Sequence, residues 1–248
     1  MKNFVGLLLV SLLFSCGKLN DASIQDAESV SDVAQTEECY VEKQTTDSLI
    51  ILIPKYSRID LVCGEMPSQS DSNVILTAEA AYTGECLKEF KHSNIAGHHV
   101  SNGELYKGYK CKSNTGAFVY YNDTWKFLYE EYYSELVKAV ESEDGMGFGQ
   151  EMIIHNGKRK ETVRPCKDTN VYRALCEINN RLCIVESKNR IPFGKFCKLL
   201  VKAGATNAIY LDMGVGWNHA WYRPSANELI ELHPKKHSYC TNWITFYK

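Results

Sequence analysis

The run Ser48-Leu49-Ile50-Ile51-Leu52-Ile53 is apolar after its first residue and is stopped by Pro54. A run that short, without helical spacing of polar residues, suits a β-strand buried on both faces. Asn73 to Ala81 and Gly116 to Tyr121 read the same way. Turn residues punctuate these runs. Asn122-Asp123 lies between Tyr120-Tyr121 and Thr124-Trp125, Asn156-Gly157 closes Met152 to His155, and Asn179-Asn180 lies inside Tyr172 to Val185. Asn and Gly tolerate the left-handed backbone of tight hairpin turns, so each site predicts a hairpin. Asn207 to Asp212 and Trp243 to Tyr247 are two further strands.

Two segments change period. Tyr133, Leu136, Val137 and Val140 fall at i, i+3, i+4 and i+7, predicting a helix that ends before Gly145. Phe193, Phe196, Cys197, Leu200 and Val201 repeat the pattern, with Gly204 as a helix-ending glycine. Two helices among many strands predict an α+β fold, a mixed β-sheet domain with a few packed helices. Residues 39–248 show no internal repeat and no linker, so they read as one domain.

The N-terminus reads as an address. Lys2, the apolar stretch Phe4 to Phe14 and the small residue Ser15 have the layout of a secretory signal over residues 1–15. Leu13-Phe14-Ser15-Cys16 is similar to a bacterial lipobox, which makes Cys16 the expected lipidated first residue of the mature chain; the alternative is a plain secretory signal. Residues 16–38 then form an acidic stretch without aromatics, read as a disordered tether, or as one short helix carrying Ile24, Val30 and Val33. The expected location is the bacterial cell envelope, with membrane contact through the lipid anchor only. A net charge of −2 lacks the basic footprint of a nucleic-acid binder.

Ten cysteines suit an oxidising compartment. With Cys16 removed, nine remain, so at least one stays free. Cys176 and Cys183 flank Asn179-Asn180 and face each other if those two form the turn. Directly opposed Cα atoms lie roughly 4.5–5.5 Å apart, so either a disulfide or two buried thiols fits. No Cys stands with His in a zinc spacing, so no metal and no cofactor are expected. His92, His98 and His99 share a polar loop, but extended neighbours point opposite ways, so His98 and His99 do not readily face one ion. His98 is read instead as a hydrogen-bonder in a pocket.

The chemistry is expected at Asn207-Ala208-Ile209-Tyr210-Leu211-Asp212-Met213-Gly214-Val215-Gly216. A strand ending in a carboxylate followed by spaced glycines puts an acid at a sheet edge beside backbone that can approach a ligand. The plainer alternative is that Asp212 caps a turn. After this strand, Trp217 and His219 are candidates for a pocket, whereas Trp221 and Tyr222 also fit the alternation of a strand core.

These segments resemble, in order, those of the phosphodiester glycosidase family, found in bacterial secreted proteins and in the animal enzyme that uncovers mannose 6-phosphate. Ala208 to Gly214 is similar to the family's Ala-x-x-Leu-Asp-Gly-Gly-Gly segment, and upstream of it Arg173-Ala174-Leu175 is similar to its Arg-led strand and Gly149-Gln150 with Asn156-Gly157 to a strand leading to an Asn-Gly turn. Glu79-Ala80-Ala81-Tyr82 is similar to an early Asn-Gly-Gly-Phe segment. Glu79 stands where the family has Asn and Met213 where it has Gly, departures that fall in the implied pocket. The resemblance implies an exported hydrolase of a sugar-1-phosphodiester or related glycoside, with Asp212 as the essential carboxylate and Glu79 or Glu151 as its partner. It implies substrate binding by Arg173 and Gln150, Arg173 through its planar fork. The partner is then a carbohydrate or sugar phosphodiester. The competing reading is a non-catalytic carbohydrate-binding lipoprotein that retains the pocket.

Overall fold

The computed structural model describes Glu38 and residues 40–83, 92–108, 115–214, 218–234 and 241–248. The chain divides into units Met1–Thr36 and Glu37–Lys248, and every described residue belongs to the second. The expected signal, Cys16 and nearly all of the tether lie outside the described residues, as do Cys39, Cys86, Cys111, Trp217 and Cys240.

The described residues form nineteen strands and two short helices. This corrects the α+β expectation: the domain is mostly β, built from four sheets with antiparallel pairing. A first, seven-stranded sheet runs Val41–Thr45, Leu49–Pro54, Arg181–Ser187, Arg173–Ile178, Ala205–Leu211, Met152–His155, Lys158–Arg159. A second, of five strands, runs Glu228–Leu232, Ala220–Ser225, Val74–Glu79, Asn242–Tyr247, Arg58–Cys63. A third, also of five, runs Glu104–Tyr106, His99–Ser101, Met146–Gln150, Gly116–Tyr121, Thr124–Tyr129. The fourth is a two-stranded ribbon of Thr169–Asn170 and Ile191–Pro192.

The apolar strands are double-sided because the first sheet is covered on both faces. Leu52, Leu175, Ile184 and Ile209 point into a core shared with Leu76, Ile244 and Phe246 of the second sheet and Phe118 and Phe148 of the third. Ile51, Ala174, Val185, Ala208 and Tyr210 point the other way, against α2 (Phe193–Lys202), through Phe193, Phe196, Cys197 and Leu200. α1 (Tyr133–Val140) packs Leu136 and Ala139 on Val100, Ala117 and Val119 of the third sheet. The helices thus occupy the two predicted segments, but each is a cover on a sheet and the two do not form a helical layer.

Strands that escape the apolar pattern carry glycine, proline or charge. In Met146–Gln150, a Cβ on Gly147 would meet Leu136 Cδ2 at 2.7 Å, and one on Gly149 would meet the Tyr132 hydroxyl at 2.7 Å. Those glycines let α1 lie close on the strand, at the cost of a strand-like sequence signature. The hairpins close as their turn residues dictate. Asn122 and Asp123, Asn156 and Gly157, and Asn179 and Asn180 all have positive φ, the condition of the tight turns that match strand twist. Cys176 consequently pairs with Cys183 in register, and both are buried thiols.

The α2 contact gives a direct stability test. Truncating fully buried Phe196 to Ala is expected to cost about 3–5 kcal/mol. Val201→Ala, at a residue 43% exposed on the same helix, is expected to stay within about 0.5 kcal/mol. Urea denaturation measures both, and equal losses would contradict the one-sided packing of α2.

Candidate functional site

The Ala205–Leu211 strand ends beside three other chain segments, and polar side chains gather where it stops. Asp212 N donates to Ala80 O at 3.0 Å, just past the Val74–Glu79 strand. Gln150 Nε2 donates to the same carbonyl at 3.4 Å, and Glu151 N donates to Gln150 Oε1 at 2.8 Å. Tyr210 N donates to Glu151 O at 2.9 Å. Ala80, Gln150, Glu151 and Asp212 are therefore brought to one place by these hydrogen bonds. Glu79, which precedes Ala80 and pairs with Trp243 on the neighbouring strand, is buried, as are Gln150, Glu151 and Asp212. Asn242 fixes the loop between them, accepting from Ala81 N at 2.7 Å and donating to Ala81 O at 3.1 Å.

Two carboxylates here are accommodated in different ways. Glu151 Oε1 accepts from Val163 N at 2.6 Å and Arg164 N at 3.4 Å, and Oε2 accepts from the Tyr82 hydroxyl at 3.4 Å. Asp212 Oδ1 accepts from Gly214 N at 3.2 Å, and the Met213 and Thr83 amides and the charge of Arg164 also favour its ionised form. Burial outweighs all of these and pushes Asp212 up to about 7. Such a carboxyl is half protonated near neutral pH and can give or take a proton.

Arg164 and Tyr82 are the site residues that the sequence did not reveal. The Arg164 guanidinium lies 4.8 Å from the centre of the Tyr210 ring and reaches the Tyr82 hydroxyl at 3.5 Å. Burial works against its charge, but the surrounding Tyr210, Tyr82 and Glu151 outweigh that and hold it protonated. Tyr82 packs on Tyr210 with ring centres 5.6 Å apart. Tyr82 closes the Glu79-Ala80-Ala81-Tyr82 segment, but Arg164 lies in a strand-free stretch whose only cue is Pro165 after it.

Arg173 occupies the adjoining position and is fully buried. Its Nε and Nη2 donate to Glu186 Oε2 at 2.9 and 2.5 Å, and Nη2 also donates to Asn218 O at 3.0 Å. Glu186 Oε1 lies 2.9 Å from His233 Nε2. Burial alone would raise Glu186, but Arg173 and His233 hold it below the usual carboxylate range. Arg173 therefore ties the segment entering the Ala220–Ser225 strand to the first sheet, and its Nη1 has no hydrogen-bond partner among the described residues.

The other expected residues have partners of their own. His219 Nε2 lies 2.9 Å from Glu231 Oε2 on the neighbouring strand. Trp221 and Tyr222 are buried strand residues. His98 Nδ1 accepts from Gly108 N at 3.1 Å, and its ring lies edge-on to Tyr133 of α1 at 5.2 Å.

The fold and the strand-end site define an antiparallel β domain with clustered buried acids, and solved structures share that fold. The zebrafish N-acetylglucosamine-1-phosphodiester alpha-N-acetylglucosaminidase catalytic domain, auto-inhibited by its pro-peptide, matches with a TM-score of 0.55 and 12% identity, over 86% of this chain and 83% of that one. A hypothetical protein from Synechocystis matches with a TM-score of 0.52 and 11% identity, over 84% of this chain and 61% of that one. No protein-family model and no curated sequence matches the chain. At such identities the likeness is one of fold.

Two outcomes test this electrostatic picture. An unfolded Asp releases its proton near 3.8, whereas folded Asp212 keeps it to about 7. The folded state holds the extra proton between those values, so stability falls as pH rises through that window. Asp212→Asn removes this dependence, and its melting temperature relative to wild type should climb between pH 4 and pH 8. The climb corresponds to a few kcal/mol at most, since each tenfold change in acidity is worth on the order of 1.4 kcal/mol. Parallel curves for the two proteins would contradict the assignment. At the second carboxylate, Arg173→Met strands buried Glu186 and is expected to cost about 3–5 kcal/mol, part of which the double variant Arg173→Met/Glu186→Leu recovers. Strictly additive losses in urea denaturation would show that the pair is not coupled.

Proposed function

We propose that the protein is an exported hydrolase that cleaves a sugar-1-phosphodiester or a related glycosidic bond. The observation that carries the reading is Asp212, held half-protonated near neutrality by burial, in one cluster with Glu151, Tyr82 and the Arg164 cation. Cleavage of a sugar acetal needs a carboxyl to protonate the leaving oxygen or activate water and a second to support the oxocarbenium-like centre. Asp212 takes the first role in this reading, and Glu151 or Glu79 the second. Anion binding falls to Arg164, which is partly exposed; Arg173, expected from the sequence as a substrate contact, is fully buried on Glu186 and holds the adjoining segment instead. Gln150, His98, His219 and Trp217 remain proposed substrate contacts. The fold shared with a domain whose name specifies an N-acetylglucosamine-1-phosphodiester supports this substrate class. The same reading has the chain lipid-anchored through Cys16 at the bacterial envelope, supported by the signal-like residues 1–15.

Sugar release from a panel of sugar-1-phosphodiesters tests the reading. Wild type is expected to turn over at least one, and Asp212→Asn to lose about 10²–10⁴-fold in kcat while remaining folded. Arg164→Ala is expected to lose about 10-fold or more in kcat/KM, in line with about 1.5–3 kcal/mol for a charge-assisted contact. Full activity in Asp212→Asn would overturn the assignment. Sugar binding by a wild type that never turns over substrate would favour the non-catalytic lipoprotein.

A further inference from the structure

Outside that cluster, three side chains from separate segments meet with metal-ligating atoms together. Cys63 ends the Arg58–Cys63 strand, His92 lies in the turn of residues 92–94, and His99 opens the His99–Ser101 strand. We propose that Cys63 Sγ, His92 Nδ1 and His99 Nε2 bind one zinc-class transition-metal ion, with solvent as the fourth ligand.

The geometry is close to what such an ion needs. All three ligand atoms lie within 4.8 Å of one another, and the two imidazole nitrogens are 2.8 Å apart. Around a tetrahedral ion with bonds of about 2.0–2.3 Å, ligand atoms stand roughly 3.3–3.8 Å apart. The imidazoles must therefore open by about half an ångström and the sulfur approach by up to about one, shifts within reach of side-chain rotation.

The surroundings orient both rings for this role. His99 Nδ1 lies 3.0 Å from Gly97 O, an acceptor that fixes the proton on Nδ1 and leaves the Nε2 lone pair facing Cys63 and His92. In the metal-free pair His92 Nδ1 then donates to His99 Nε2; when an ion takes that position, the His92 proton moves to its own Nε2. The His92 ring is held by parallel stacking on Tyr106, with centres 3.6 Å apart. Both rings bind in the neutral form, each through the nitrogen that carries no proton. Cys63 binds as the thiolate, so binding releases one proton, from that thiol, to solvent. One thiolate with two imidazoles selects a borderline-soft ion, and no carboxylate belongs to the set, which disfavours calcium and magnesium. The sequence reading expected no metal; the cluster was out of its reach because Cys63 comes from a distant strand and His99 meets His92 while His98 turns toward α1.

Cobalt(II), titrated into the full chain, is the probe. The expected result is one equivalent bound, with a thiolate-to-cobalt charge-transfer band that one equivalent of zinc abolishes. Cys63→Ser should lose the band, and His92→Ala, altering the more exposed imidazole, should weaken cobalt binding by at least about 10–100-fold with the fold intact by circular dichroism. Should Cys63→Ser fail to fold, His92→Ala decides. A wild type without the band, a band that survives Cys63→Ser, or unchanged binding in His92→Ala would each overturn the site.

Discussion

Keeping carboxylates out of water is the constraint around which this domain is arranged. Glu79, Glu151, Glu186 and Asp212 are all buried near the end of the Ala205–Leu211 strand, where an unpaired charge would be strongly unfavourable. Three of the four are accommodated in different ways. Glu186 is paired with Arg173 and bonded to His233, Glu151 is held by two backbone amides and the Tyr82 hydroxyl, and Asp212 keeps its proton up to about pH 7. Only the last of these titrates near neutrality, which is the property the proposed chemistry uses.

The surrounding fold supplies the rigidity that this arrangement requires. Antiparallel pairing on both sides of Ala205–Leu211 fixes the heights of Arg173 and Tyr210, and α2 seals the outer face through Phe193 and Phe196. Asn242 pins the Ala81 backbone from the second sheet, so the segment that carries Tyr82 is tied to the same frame. The site is thus built from strand ends, with Arg164 as its contribution from an irregular segment. A buried ion pair such as Arg173 and Glu186 contributes little net stability in itself, but breaking it is costly, which suits a device that fixes geometry.

Much of this was legible in residues whose local chemistry leaves few choices. The positive-φ pairs at Asn122-Asp123, Asn156-Gly157 and Asn179-Asn180 set hairpin registers that the sequence predicts. The register that places Cys176 opposite Cys183 also places Arg173 opposite Glu186, so that ion pair was within reach of the sequence. Asp212 stood out as an acid closing an apolar strand. Two things were hidden. The predominance of β-structure was masked by strands such as Met146–Gln150, whose glycines answer to the close approach of α1. Arg164 and the Cys63, His92 and His99 cluster depend on contacts between distant segments, which no local spacing records.

Burial at this strand end makes Asp212 a neutral-pH acid, and the chemistry assigned to the site rests on that property. A carbon-13 NMR titration of aspartate carboxyls, with the Asp212 signal assigned by its loss in Asp212→Asn, reads it without reference to any substrate. The expected midpoint is about 7. A midpoint at the ordinary aspartate value of about 4 would contradict it and leave Asp212 as a turn-capping carboxylate.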